Sequence, residues 1–477
     1  MARDVGRSTR FGWQLSTAEL NELRGRIEAD PHLWTAQTPV ALSTVPTLTS
    51  RGFEPRPSVL RAFAVARGAT FVVMPGGLLR VAPDDQGAPI SNEAGALTKD
   101  VWVLATEPEQ RESYWLQGGP TVAAVEPSAS MPSRAAENLF WLGRYAERAE
   151  DVVRLLRVAY DRRNDFASGT NPEGVRCLSI LLRAVTEITT TYPGFTDDAA
   201  VAEPGGELFA LVVDDQRPGT LAHSVRKLLD AAYAVRDQLS NDTWLVIGNL
   251  DREILALRDT TNDRPPTLQR ALGSAMQSLL ALSGLANESM VRDPGWHFMD
   301  AGRRLERSMQ LVALLRSTMT SVNGTATDSL VMESVLTTAE SIITYRRRYR
   351  SQAQVETMLD LLLLDPGNPR SLAHQLDRLR DDVEQLPRSD ADPSVSGAND
   401  RLAPVGRLVL EISTRLRLVD TASLAAPNPV GERPELDAFL ERISVLLRRC
   451  AEAIDSTHFT HLLPQRSMPV ERREHVR

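Results

Sequence analysis

The sequence predicts a mainly helical protein: a large, internally duplicated helical bundle that follows a small α+β segment. Three observations predict it. A 19-residue pattern occurs twice, LFWLGRYAERAEDVVRLLR at 139–157 and FMDAGRRLERSMQLVALLR at 298–316, with eight positions identical. From Pro132 onward nearly every segment repeats its apolar residues with helical period. Before about Leu104 the texture is different, with short Val-, Phe- and Trp-rich runs punctuated by Pro and Gly, which is how strands look.

Taken in order, TAELNELRGRIEA (17–29) reads as a short amphipathic helix with Thr17 as N-cap and Asp30-Pro31 as its stop. WTAQTPVAL, VLRAFAVA, ATFVVMP and DVWVLAT read as strands, four or five in about 110 residues, separated by signals such as Arg67-Gly68 and Pro75-Gly76-Gly77. This segment spans residues 1–115, and 116–130 reads as a linker. Helices are expected over 133–163, 174–191, 219–240, 242–258, 266–289, 294–321, 329–350, 353–364, 369–386, 402–420 and 434–456. Asp293-Pro294 is a clear start, an N-cap followed by proline at the first helical position. PRSDADPSVSGAN (387–399) reads as a polar loop and 457–477 as a frayed tail.

The bulk numbers bound the function. The 477 residues suffice for two or three domains, and a net charge of −8 argues against nucleic acid or an anionic membrane as partner. Lysine occurs only at Lys99 and Lys227, so a site needing an ammonium has two candidates. Cys177 and Cys450 give no disulfide framework and no CxxC metal site. The N-terminus lacks the apolar core of a signal peptide, and no run approaches the roughly 18 apolar residues of a membrane span. The expected compartment is the cytoplasm.

Within the repeat, Leu139, Leu142, Ala146, Ala149, Val153 and Leu156 form a bundle seam, and Phe298, Ala301, Leu305, Ser308, Val312 and Leu315 stand in the same phase. Arg144 and Arg303 lie about 140° off that seam. Arg144 with Glu147, and Arg303 with Glu306, are spaced to bridge within one helix. Two readings stay open: a solvated, salt-bridged face, or a second interface or polar pocket between the halves. Gly143 and Gly302 favour the second, because a mid-helix glycine costs about 1 kcal/mol relative to alanine and its repetition suggests a close backbone or ligand. In a further reading, Arg144, Glu147, Arg303 and Glu306 meet across a pseudo-twofold axis, with paired carboxylates as acid and base.

The run MPSRAAENLFWLGRYAERAED (131–151), with RDPGWHFMDAGRRLERS (292–308), TYRRRY (344–349) and NPRSLAHQLDRL (368–379), resembles the Alpha-E family, an all-helical bacterial domain of unknown function. The resemblance covers about residues 131–456. It marks Arg134, Glu137, Asn138, Arg144, Glu147, Arg148, Arg303, Glu306, Arg307, Tyr345 and Arg346 as motif positions. One departure stands at LLDAAYAVRDQLSNDTW (228–244), where Leu229, Ala231 and Tyr233 replace polar or charged types.

The pieces ADPHLWTAQTPVALSTVP (29–46), RPSVLRAFAVARGATFVVMPGGLLRVA (56–82) and SNEAGALTKDVWVL (91–104) resemble the last part of a circularly permuted type 2 ATP-grasp domain. Such enzymes activate a carboxylate as an acyl phosphate with Mg-ATP and let an amine displace phosphate. The resemblance implies a hinge near the adenine at Trp34–Gln37, with Gln37 a nucleotide contact. It implies Arg61 and Arg80 aimed at phosphates, and Lys99 as a further nucleotide or substrate contact. Thr38 departs from the family's glutamate, and Glu93-Ala94-Gly95-Ala96 from its Gly-rich run. The family's phosphate loop, lysine strand and acidic metal ligands are expected on an N-terminal half that is not part of this chain, so the chain alone is expected to be inactive. The expected partner is another protein chain, either that half or a transglutaminase-like protein.

Remaining motifs carry less. His458-x-x-His461 lacks a third ligand, and no metal site is expected. Tyr345-Arg346-Arg347-Arg348-Tyr349 reads either as a grip for phosphate or carboxylate or as a helix surface with packed tyrosines. Ser43, Thr44 and Ser91 have no partnered His and Asp, so no nucleophile triad is expected. The two functional readings are a component of an ATP-dependent carboxylate–amine ligase system, and a non-catalytic helical module that binds a partner or a small acidic ligand.

Overall fold

The computed structural model describes residues 12, 15–31, 34–38, 40–49, 51–67, 70–83, 90, 96–104, 131–166, 169–258, 265–350, 353–387 and 402–459. The expected linker, most of the 387–399 loop, the Glu93-Ala94-Gly95 run, Ser91, His461 and the tail beyond Phe459 lie outside these residues. The chain divides into two units, Met1–Thr121 and Val122–Arg477.

The first unit opens with α1 (Thr17–Ala29). Its cap is Ser16, one residue before the expected Thr17: Ser16 accepts from the Glu19 amide while Glu19 reaches back to the Ser16 amide, a reciprocal capping box. Six strands follow: β1 (Thr44–Thr49), β2 (Gly52–Arg61), β3 (Ala64–Arg67), β4 (Thr70–Val73), β5 (Gly76–Val81) and β6 (Leu97–Trp102). They form an antiparallel sheet in the order β1-β2-β5-β6 and a separate β3-β4 hairpin. WTAQTPVAL, expected as a strand, is not one at its described positions, and β1 starts just after it. The expectation missed β1 and the first half of β2 because Pro46, Pro55 and Pro57 interrupt them. The ladder bond from Ser58 N to Ser43 O shows why prolines are tolerated. Even positions of β2 and odd positions of β1 bond between these strands, so all three prolines turn their missing N–H away from that ladder.

The second unit is all-helical: α2 (Ser133–Phe166), α3 (Pro172–Thr189), α4 (Asp198–Ala202), α5 (Gly205–Val213), α6 (Leu221–Ala234), α7 (Asn241–Arg258), α8 (Pro265–Glu288), α9 (Pro294–Met319), α10 (Thr325–Thr338), α11 (Ile342–Tyr349), α12 (Val355–Leu359), α13 (Leu372–Gln385), α14 (Pro404–Leu418), α15 (Thr421–Ala425) and α16 (Pro434–His458). Asp293 caps α9 as expected, accepting from Trp296 N at 3.0 Å. The helix expected over 329–350 is broken into α10 and α11, because Glu340 adopts φ 50°, outside helical space. The helix expected over 353–364 ends in a π-helical turn at Asp360–Leu364. Helix α16 continues through His458, and Phe459 is buried against Phe140 and Phe298, so the first residues of the expected tail belong to the core.

The repeated segments are α2 and α9, and they pack directly on each other at the middle of the unit. Equivalent positions meet at the same level: the Phe140 carbonyl faces Gly302, and the Met299 carbonyl faces Gly143. The pair is therefore parallel and related by a pseudo-twofold axis along its length. Helices α3, α6 and α8 cover α2, and α13, α16 and α3 cover α9. All six seam positions of the second copy are buried, and five of the first. Because α2 and α9 are enclosed on several sides, the faces off the seam are buried as well.

Candidate functional site

The off-seam face of α2 and α9 is a buried ionic cluster. Glu306 is 1% exposed and accepts from Arg144 Nε at 2.8 Å, Arg148 Nε at 2.6 Å and Gln310 Nε2 at 3.2 Å. Its counterpart Glu147, also 1% exposed, accepts from Arg307 through Nε and through Nη2 at 2.7 Å, with Arg303 Nε 3.9 Å away. Each repeat thus gives its glutamate to the arginines of the other. The bridges expected within each helix are replaced by bridges between helices, because both helices are central and their polar face meets its own symmetry mate rather than water. The glycines make this possible. A Cβ built on Gly143 or Gly302 would lie deep inside contact distance of the Met299 or Phe140 carbonyl, which is backbone and cannot move aside.

Charge state follows from burial against pairing. Burial pushes the Glu306 carboxyl up, but Arg148 and Arg144 outweigh it and hold the group at about 2. Arg307 stays charged because Glu147 outweighs the desolvation of its guanidinium. On the open side of α2, Trp141 stacks on Tyr145, with Arg144 4.9 Å above the Trp141 ring and Arg148 5.6 Å above Tyr145.

The pseudo-symmetry breaks one turn further on. The first repeat has Glu150-Asp151 where the second has Met309-Gln310. Arg370, from the turn before α13, enters there: Nη2 donates to Glu150 at 2.5 Å, and Nη1 lies 3.6 Å from Glu147. Arg154 also binds Glu150, through Nη2 at 3.0 Å. Burial raises the Glu150 carboxyl, but Arg370, Arg307 and Arg154 bring it down to about 2. Asp151 is the opposite case: burial, reinforced by Glu147, raises its carboxyl well above the usual range. Asp151 Oδ2 and Gln310 Oε1 are buried without a hydrogen-bond partner. Both residues line a cavity of about 40 Å³, together with Arg307 and Arg370. Sequence reasoning missed Glu150, Asp151, Gln310 and Arg370. The signal available was the pair of positions at which the repeats disagree in charge.

A second buried acidic group joins α9 to α13. Asp300 accepts from Arg304 Nε at 3.0 Å, and Asp382 Oδ1 lies 2.9 Å from His297 Nδ1. Burial and the neighbouring Asp300 push Asp382 up to about 8.

The other motif residues lie apart from the cluster. Arg134 is exposed, and its carbonyl accepts from Asn138 Nδ2 at 2.7 Å; Glu137 and Asn138 are half-buried. Tyr345 is buried, its hydroxyl 2.6 Å from Thr357 Oγ1. Arg346 is exposed and meets Glu333 at 2.7 Å, and Glu333 also holds Arg162 of α2 at 2.8 Å.

In the first unit, the register puts Arg61 opposite Leu78, Arg80 opposite Val59 and Lys99 opposite Leu79. Arg61 and Arg80 therefore share one sheet face, and Lys99 occupies the other, where its ammonium bonds the Pro46 carbonyl. Gln37 is exposed outside any strand. Two guanidiniums on one face suit phosphate. A divalent ion needs carboxylates as well, and among the described residues no group of three or more His, Cys, Asp or Glu is arranged to hold one. The described residues thus do not by themselves make a complete Mg-ATP site. Among the described residues, no helix is long and apolar enough to cross a membrane.

Comparison with known proteins assigns both units. The Alpha-E model, described as a predicted alpha-helical domain with a conserved ER motif, matches residues 131–459. Glu147-Arg148 and Glu306-Arg307, at the centre of the cluster, are such Glu-Arg pairs. The model for circularly permuted ATP-grasp type 2 matches residues 1–82. The chain is 36% identical over 474 residues to the uncharacterized protein Rv2567 of Mycobacterium tuberculosis, covering 95% of this chain and 51% of that protein. The uncharacterized protein Mb2597 of Mycobacterium bovis matches with the same identity and coverage. A shorter match, 36% over 94 residues and 20% of each chain, is to the uncharacterized protein sll0335 of a Synechocystis strain. The chain spans about half the length of the two mycobacterial relatives named first. No solved structure matches.

Proposed function

The chain belongs to the Alpha-E family over residues 131–459 and carries a circularly permuted ATP-grasp segment over residues 1–82, and from this premise we propose that it is a component of an ATP-dependent carboxylate–amine ligase system that forms amide or peptide bonds. The observation that carries the reading is the joining of these two family segments in one chain. In this reading Arg61 and Arg80, on one face of the sheet, contact phosphate, and other residues of the assembly supply the metal-binding carboxylates. The Alpha-E unit contributes a binding site rather than a nucleotide site.

The test is titration calorimetry with Mg-ATP on the wild-type chain and on Arg61→Ala and Arg80→Ala. Binding that weakens at least about ten-fold in each variant is expected, the loss of one charge-assisted phosphate contact. Binding unchanged in both variants removes this sheet face from the nucleotide site, and no binding by the wild type means that this chain does not hold Mg-ATP without the rest of the assembly.

A second reading is a non-catalytic module for a small acidic ligand, favoured by Arg307 and Arg370 at the cavity beside Asp151. The repeated Arg and Glu side chains are turned inward on each other. The cavity is thus one place in the described helical unit where such a ligand meets guanidinium groups without first breaking the α2–α9 pairs.

A further inference from the structure

We propose that the groove between α13 and α14 binds a small aliphatic carboxylate, its carboxylate held by the Arg417 guanidinium and the Ser413 hydroxyl and its hydrocarbon laid on Leu364, Leu376 and Leu416. These residues are none of those assigned above, and the proposal does not rest on the ligase reading.

The groove has a volume of about 280 Å³. On α13, Ala373, Leu376 and Asp377 follow the i, i+3, i+4 spacing of one helix face, and on α14 Ser413, Leu416 and Arg417 repeat it. The π-helical turn before α13 adds a further wall. There the Asp365 amide bonds the Asp360 carbonyl at 3.0 Å. The wider turn buries Leu361, Leu362 and Leu363 and leaves Leu364, half-buried, at the groove. Leu376 and Leu416 are buried beneath it.

Charge selects the ligand. Asp377 and Asp381 hold Arg380 between them, at 3.1 and 3.2 Å, and Arg378 lies 3.5 Å from Asp381, so the ions of α13 are matched on their own helix. On α14, Arg415 gives its guanidinium to Glu411 at 2.9 Å. Arg417 differs: among the described residues neither its guanidinium nor the Ser413 hydroxyl has a hydrogen-bond or ion-pair partner. The groove therefore offers a planar fork and a hydroxyl donor, one turn apart on one helix face, beside leucine side chains. A carboxylate accepts from the fork through both oxygens, and the leucines favour a hydrocarbon tail. A bare anion leaves the leucines wet, and a neutral hydrocarbon leaves the guanidinium unused. The volume falls just short of the range for drug-sized ligands, which selects a tail of a few carbons.

The experiment is titration calorimetry of isocaproate into the full chain, without ATP. Isocaproamide, acetate and L-leucine are the comparison probes. Expected are binding of isocaproate, and at least ten-fold weaker binding of isocaproamide, which lacks the charge, and of acetate, which lacks the tail. L-Leucine is isocaproate with an added ammonium. Because Asp377 already holds Arg380, it is expected to bind no tighter than isocaproate. Arg417→Gln, at an exposed position, is expected to lose at least ten-fold in affinity. Ala373→Leu, which fills the groove from α13, is expected to block binding, with circular dichroism as the check that it folds. Arg415→Gln, which removes a guanidinium committed to Glu411, is expected to bind as the wild type does. No binding of isocaproate at millimolar concentration overturns the proposal. So does equal binding of isocaproamide or acetate, which removes the charge or the apolar wall from the site. Tighter binding of L-leucine overturns the ligand class. Wild-type affinity in Arg417→Gln places the site elsewhere, and an equal loss in Arg415→Gln reduces the effect to general charge. Because ATP is absent, failure here leaves the Mg-ATP result standing, and the reverse also holds.

Discussion

At the scale of single residues, the two kinds of buried carboxylate predict opposite pH behaviour. Glu306 is held at about 2 when folded, below the ordinary 4.5, so its contribution to stability is present above about pH 4.5 and is lost as pH falls toward 2. Glu306→Gln is expected to destabilise by about 3–5 kcal/mol at pH 7, because Arg144 and Arg148 then lack their buried partner. The variant should also flatten acid unfolding between pH 5 and 2, followed by urea denaturation at each pH. Asp382 is raised to about 8, so its penalty begins near pH 4 and is complete only above pH 8. Asp382→Asn should leave the Tm unchanged at pH 4 and raise it progressively up to pH 8. The gain is on the order of 1–2 kcal/mol, since the shift is shared with Asp300. A gap that closes as pH rises would contradict this assignment. The sequence marked Arg144, Glu147, Arg303 and Glu306 because repetition exposed them. Their pairing depends on the register between two helices 159 residues apart, which no local pattern encodes.

At the scale of elements, the glycines separate a packing constraint from a propensity. Gly143→Ala and Gly302→Ala each place a methyl against a carbonyl of the facing helix, and each is expected to cost about 2–3 kcal/mol or more. Gly248, Gly273 and Gly284 are also inside helices but have nothing within 4 Å of the place a methyl would occupy, so alanine there should stabilise by about 0.5–1 kcal/mol. Denaturant midpoints for the five variants test both halves of the contrast. This constraint was legible, since a glycine repeated at one phase of a helix already suggests a close backbone. The long helices were legible for the same reason, having enough turns to display their period. Helices α4, α5 and α15, of five to nine residues, were not. They are too short to show a period, and two of them are held by caps: Asp197 accepts from Ala199 N at the start of α4, and Asp420 from Ala422 N and Ser423 N at the start of α15. The break at Glu340 was hidden because no glycine or proline marks it.

At the scale of the whole molecule, the two units differ in how completely each buries its own apolar surface. The helical unit closes around α2 and α9, with Tyr160, Phe140, Phe195 and Phe298 almost fully buried. In the first unit the face that carries Arg61 and Arg80 also carries Leu48, Phe53 and Trp102, and Phe53 and Trp102 are 77% and 82% exposed. An open apolar sheet face with an unpaired edge is an association liability. Residues 131–459 expressed alone are therefore expected to give a monodisperse helical protein that unfolds cooperatively with the Tm of the helical transition in the full chain. Residues 1–121 alone are expected to aggregate, or to become soluble only when another polypeptide covers the sheet. Light scattering and thermal unfolding of the two fragments test this.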